Sequence, residues 1–388
     1  MAHGPGLHYC YGIIAAELVE SNGLETTSRA LIGGAGSVST GLMLLGAPLS
    51  AFAQDAAGAW RTVAGGAGVA ALGLGLSGVA TRAWHLYLTF GVLVGLGHSF
   101  CFPPCPVAVA QHFEGHPRAA LASGIATAGS GFGTIALGLL TAWLVATGWR
   151  LAFFVLALST FAFVELVAPA LEARRRAVDR DAPRGVRRLV ACTALYAFGW
   201  EIPFVHLVSY ARERGHTPAA AAGAVVAIGV GGLGGRVAAL AAADAIGLPV
   251  ALLGATSATA LADAALPSIV ASRVGLYCYG MLVGSTAGAC VGLTTPLARA
   301  CLEGGSLARA SGLAYSAMAP GLLVGPIVAG ALRDARSDGY DVAFYLAATC
   351  WAAATVAAWH LRASLRSPPP RALPTSGGRG IDNDSHSA

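Results

Sequence analysis

The sequence predicts an all-α integral membrane protein of two six-helix bundles, nominally twelve transmembrane helices with the first one short. Three observations predict it. The 388-residue chain is 55% hydrophobic and only 11% charged, whereas soluble domains carry about 25% charged residues. The apolar residues fall into successive runs of spanning length. A short sequence pattern then recurs at about half the chain length. A single soluble core stops growing near about 250–300 residues, so a soluble chain of this composition would leave much apolar surface in water. Disorder requires the opposite balance of low hydrophobicity and high charge.

A spanning helix takes about 20 apolar residues. Eleven runs meet that scale, near residues 31–53, 62–81, 84–111, 119–146, 150–170, 189–209, 218–242, 246–266, 274–298, 308–331 and 341–361. A shorter run at 6–19 ends in Glu17 and Glu20 and counts as a truncated first helix. The N-terminus lacks the basic region and small-residue cleavage site of a secretory signal. The most polar internal segment, 172–188, holds seven Arg. It divides the chain into an N-terminal bundle (1–171), an Arg-rich linker (172–188), a C-terminal bundle (189–366) and a solvated, disordered tail (367–388). With the linker in the cytoplasm, fifteen Arg fall on that side and eight on the other, and Arg236 stays within the membrane. The positive-inside rule then puts both termini in the cytoplasm.

The half-length repeat supports the two bundles. Ala122-Ser123-Gly124-Ile125-Ala126 opens the fifth run, and Ala310-Ser311-Gly312-Leu313-Ala314 opens the eleventh, 188 residues later. Each follows an Arg (Arg118, Arg309), and each precedes a Gly-aromatic pair, Gly148-Trp149 and Gly339-Tyr340. A six-plus-six duplication is the parallel-repeat layout of major facilitator transporters.

Several function classes fall away. All 24 basic residues are Arg, so chemistry that needs a lysine amine is excluded. The eight Cys lie mostly in apolar runs and read as small buried hydrophobes rather than a disulfide framework. Gly229-Val-Gly231-Gly-Leu-Gly234 matches G-x-G-x-x-G but has no strand before it, and reads as small residues that let helices approach closely. His112-Phe-Glu114-Gly-His116 has metal-motif composition, but its Glu is one position late for H-E-x-x-H and Pro117 ends the helix, so a solvated loop is expected. No Ser/His/Asp set, metal set or phosphate loop remains to support an enzyme. No cofactor, metal or nucleic acid is expected.

The chemistry-bearing residues are those inside the spans. An Arg within a spanning helix either faces a polar cavity or snorkels to the helix end, and Arg236 has a fork suited to a carboxylate. Glu201 and His206 flank Pro203 in the seventh run and are candidate proton carriers, or else wet groups at the outer mouth. His98 in the fourth run is a third, weaker candidate, since a lone buried His is usually a satisfied interior group. The pairs Tyr9/Tyr11 and Tyr277/Tyr279 either line a pocket or pack.

Together these segments resemble the monocarboxylate transporter family. The stretch from Gln111 to Gly133 resembles its signature between helices four and five. Gly148-Trp-Arg-Leu-Ala-Phe153 resembles the start of helix six, and Pro203-Phe-Val-His-Leu-Val-Ser-Tyr-Ala211 the exit of helix seven. Gly321 to Leu332 with Tyr340 to Phe344 and Tyr345 resembles helices eleven and twelve. The resemblance spans about residues 9–362. It implies a secondary active transporter of a small organic anion, a monocarboxylate, working by alternating access in the plasma membrane. It implies Arg236, Tyr9, Phe204 and Tyr279 as substrate-binding residues, and Glu201, His206 or His98 as carriers of any coupled proton. An accessory membrane subunit is left open. The departures are specific. The acidic-Gly-Gly-Trp-Gly-Trp opening of helix one is absent, and the family's helix-one Lys falls at about Tyr9. The helix-eight Arg matches Arg236, but its partner Asp position is Gly232. The anion-binding Arg is kept and the proton-relay pair is not, which argues against proton–lactate symport. Two alternatives therefore stand. The same fold could carry oxalate, formate or an amino acid, or the chain is a degenerate, non-transporting membrane protein.

Overall fold

A computed structural model describes residues 2–21, 23–24, 29–171, 184–302, 305–335 and 339–366, and among these the chain folds into twelve helical rods. A π turn, Ala2–Gly6, leads into α1 (Leu7–Glu20). Next come α2, bent between Arg29–Leu45 and Ala47–Ala57, and α3 (Ala59–Gly78). The rod α4 is composite: Ala83–Leu86, a π stretch Tyr87–Val94, Gly95–Cys101, then Pro104–His112. The first half closes with α5 (Ala119–Val145) and α6 (Trp149–Val167). The second half is α7 (Arg184–Glu213), α8 (Pro218–Ile246), α9 (Leu248–Ile269), α10 (Arg273–Ala300), α11 (Leu307–Ser316 and Ala319–Asp334) and α12 (Asp341–Arg366). Among the described residues nine helices are long and apolar enough to cross a membrane, and bent α2 makes a tenth. No strand occurs among them. Most of the linker, and the tail 367–388, lie outside the described residues. The linker's last residues, from Arg184, already belong to α7.

Local chemistry sets the ends. Thr217, Ser272 and Ser306 stand at the N-caps of α8, α10 and α11, each accepting a backbone N–H with its hydroxyl. Gly247 joins α8 to α9 at φ 91°, a left-handed turn where a side chain would be strained. The breaks in α4 and α11 fall at proline-rich points. Pro103 and Pro104 follow Phe102, and Pro320 follows Met318 and Ala319. Each such ring removes an N–H and ends the regular ladder.

In a bilayer, helices associate through close packing of small residues rather than through apolar burial. The Gly229–Gly234 segment does this. A Cβ on Gly231 would run into the Met281 carbonyl oxygen of α10, and one on Gly284 into the Ile228 carbonyl of α8. The α3–α4 contact is built the same way, with Gly97 against Ala70. One apolar cluster fills the first bundle around Leu18, Phe90 and Phe153. A larger one runs through the second bundle and crosses into the first at Met43, Leu44 and Phe102.

Candidate functional site

The bundles meet around a central cavity of ≈ 70 Å³, room for several waters or a small solute. From the first bundle it is lined by Thr40, Met43 and Leu44 of α2, Phe102 of α4 and Ser130 of α5. From the second come Trp200 and Glu201 of α7, Arg236 of α8, Val291 of α10, and Tyr315, Met318 and Leu322 of α11. Phe102 and Met318 sit at the breaks of α4 and α11. Irregular backbone at membrane depth is tolerated where it lines a cavity, and binding sites of transporters are built from such broken helices.

Arg236 is held across the gap. Its Nη1 donates to the Thr127 carbonyl (2.8 Å) and to Ser130 Oγ (3.1 Å), both on α5. On the other side its fork lies over Gly288 of α10, where a Cβ would stand 2.9 Å from Nε. The absent side chain is what makes room for the guanidinium. Glu201 lines the same cavity, and its Oε2 is buried without a hydrogen-bond partner. Pro203 brings no N–H for the Gly199 carbonyl two residues before Glu201, loosening α7 there. The site therefore joins a fixed cation, a carboxyl group and aromatic walls from Trp200, Phe102 and Tyr315.

The other anticipated residues lie elsewhere. Phe204 stacks on Trp200 (centroids 6.4 Å) away from the cavity lining. Tyr279 is buried inside the second bundle and donates to Asp263 Oδ1 at 2.7 Å. His206 hydrogen-bonds the Pro326 carbonyl of α11 at 3.0 Å and packs on Tyr340. It joins α7 to α11 and to the turn before α12. His98 is buried in the first bundle, against His8. Tyr9 belongs to α1, and its side chain lies outside the described residues. The sequence reading did not single out Ser130, Tyr315 or Met318. At the repeat's 188-residue offset, however, Ser130 corresponds to Met318 and Thr127 to Tyr315. Among the described residues no group of three His, Cys, Asp or Glu is placed to hold a metal ion. Glu114 of the His112–His116 loop instead pairs with Arg299.

That pair belongs to a set of contacts joining the bundles at the end where the linker lies. Arg309 Nε meets Asp55 Oδ2 at 2.9 Å, and Ser306 Oγ donates to Asp55 Oδ1 at 2.8 Å. Asp244, near the end of α8, accepts the backbone N–H groups of Ala120 (2.8 Å) and Leu121 (3.0 Å). It caps α5 from the other bundle.

A sequence model described as Major Facilitator Superfamily matches residues 8–302. The chain belongs to that superfamily. Within it the chain resembles monocarboxylate transporters. It is 28% identical to monocarboxylate transporter 10 of Danio rerio over 368 residues, covering 88% of this chain and 72% of that one. It is 29% identical to monocarboxylate transporter 13 of Rattus norvegicus, covering 80% and 75%. The fold matches the human organic anion transporter MFSD10 with a TM-score of 0.67 at 16% identity, covering 92% and 98%. It matches the Escherichia coli fucose:proton symporter, also at 0.67, with 14% identity and coverage of 93% and 98%. The protein is thus a multi-pass membrane transporter of the major facilitator fold.

Proposed function

We propose that this transporter carries a small organic anion, a monocarboxylate, by alternating access, with Arg236 as the carboxylate ligand. The supporting observation is the position of Arg236: a guanidinium fixed between the bundles, at a cavity of small-solute size, on broken helices. Its planar fork suits a carboxylate bidentately. Rocking of the bundles about this midplane site would expose it to either side in turn. In this reading the chain sits in the plasma membrane with both termini cytoplasmic, supported by the Arg asymmetry of the sequence.

Glu201 favours a second reading. A carboxyl group at the same cavity as Arg236 either travels with a proton alongside the anion or meets the cationic end of a zwitterion. Counterflow separates the two. Proteoliposomes preloaded with lactate, pyruvate or oxalate are expected to accelerate uptake of the labelled acid. Acceleration by neutral amino acids alone would replace the monocarboxylate reading with the zwitterion one. No counterflow with either class would leave a membrane protein that does not transport them.

A further inference from the structure

A second cavity, of ≈ 50 Å³, lies inside the first bundle. Phe102 is a wall of both it and the central cavity. It forms where α4 breaks. Pro103 and Pro104 supply no N–H, so the Ser99 and Phe100 carbonyls lose their regular helical donors. Freed backbone of this kind is tolerated inside a bilayer where protein or a wet space covers it.

The cavity collects more polar atoms than packing needs. His98 is fully buried, lines the cavity, and has no hydrogen-bond partner at either ring nitrogen. Both ring nitrogens of His3 and the hydroxyl of Thr160, on the same cavity, also lack partners. A buried polar group without a partner costs about 1–3 kcal/mol. Five such atoms around one space therefore point to a small polar occupant, and the volume suits a few waters.

Against His98 stands His8 of α1, with ring centroids 4.9 Å apart, edge to face. His8 is satisfied where His98 is not. Its Nδ1–H donates to the Gly4 carbonyl (3.2 Å), which leaves Nε2 to accept from Ser39 of α2 (2.9 Å). Among the described residues the other ionisable groups around this place are His3 of the π turn, Cys101 and Cys105 on α4, and Glu165 of α6, which acts electrostatically on Cys101; the N-terminal amine also acts on His98. Two imidazoles this close repel each other when both are charged, so the pair suits one added proton better than two.

We propose that this cavity is a proton-binding site separate from the carboxylate site, in which His98 takes up one proton from water held there. Hydronium gives up the proton, an N–H bond forms on the His98 ring, and water remains. The new charge sits directly behind Phe102, so loading the site acts on one wall of the central cavity. Its consequence for coupled transport rests on the transport reading above; its existence does not.

The test has two arms. In protein carrying ¹³C-histidine in lipid nanodiscs, the His98 ring resonance is identified by its loss in His98→Gln and again in His98→Asn. It is expected to shift as the pH is lowered from neutral to the acid limit of the fold, to do so still in Arg236→Ala, and to change its midpoint in His8→Gln. A His98 resonance that stays put across that range overturns the proposal. In proteoliposomes with labelled pyruvate, His98→Gln is expected to lower accumulation driven by an imposed proton gradient at least about fivefold, and to lower gradient-free exchange far less. Equal loss of both overturns the coupling role. Absence of exchange in the unaltered chain would instead count against the transport reading, with the resonance still deciding the site.

Discussion

Replacing Asp244 by Ala removes a helix cap that one bundle supplies to the other. The α5 N-terminus has no side-chain cap of its own at Arg118. Its Ala120 and Leu121 N–H groups are met by the two oxygens of Asp244 on α8. Losing an N-cap costs about 0.5–2 kcal/mol, and a hydrogen bond to a charged group contributes about 1.5–3 kcal/mol. Asp244 is half-buried, so water takes over part of its role, and about 2 kcal/mol is a fair total. When the bundles part at this end, water solvates those N–H groups in native and variant alike. The whole loss therefore falls on the state seen here. About 2 kcal/mol moves the equilibrium about thirtyfold toward the separated state. Spin labels at Arg61 and Ala300, exposed on opposite bundles at the linker end, read the separation in nanodiscs with the native cysteines replaced. Asp244→Ala should populate a longer distance and Asp244→Asn should do so less. Superimposable distance distributions for native and Asp244→Ala would refute the reasoning.

Three further outcomes follow from the same geometry. Gly288→Ala sets a Cβ 2.9 Å from Arg236 Nε and 3.1 Å from Nη2; the fork must move, and KM for the transported acid should rise about tenfold or more, with thermal stability little changed. Tyr279→Phe leaves buried Asp263 inside the second bundle without its hydrogen bond, so the unfolding midpoint should fall by the equivalent of about 1–3 kcal/mol while KM stays as it was. A double-mutant cycle on Asp55 and Arg309 should give a coupling of about 0.5–1 kcal/mol in thermal unfolding, weakened by salt, because the Arg309 side chain is 41% exposed.

Much of the fold was legible because hydropathy in a bilayer is a strong constraint. The eleven apolar runs and the short first one coincide with the rods, and the 188-residue repeat marks the two halves. The breaks were harder to read. The prolines after Phe102 are visible in the sequence, but their use as a cavity wall depends on which bundle faces them. At the site, Arg236 and Glu201 were legible as charges inside spans. The contact of His206 with α11 was not legible, although five residues along an α-helix is about 140° away from the face of Glu201. The bond of Tyr279 to Asp263 was not legible, because Asp263 comes from a separate helix that periodicity cannot pair with it. Ser130 and Met318 carried a signal in the repeat, whose equivalent positions face the same cavity from α5 and α11; Thr127, the equivalent of Tyr315, instead holds Arg236 through its carbonyl.

The proposed transport of an acid rests on Arg236 as the carboxylate ligand. The most direct test is saturable uptake of labelled pyruvate by proteoliposomes holding the native chain, Arg236→Ala or Arg236→Lys. Arg236→Ala is expected to fall to the level of empty vesicles, and Arg236→Lys to keep a weakened uptake, since an ammonium supplies charge without the bidentate fork. Uptake by Arg236→Ala equal to that of the native chain would contradict that role.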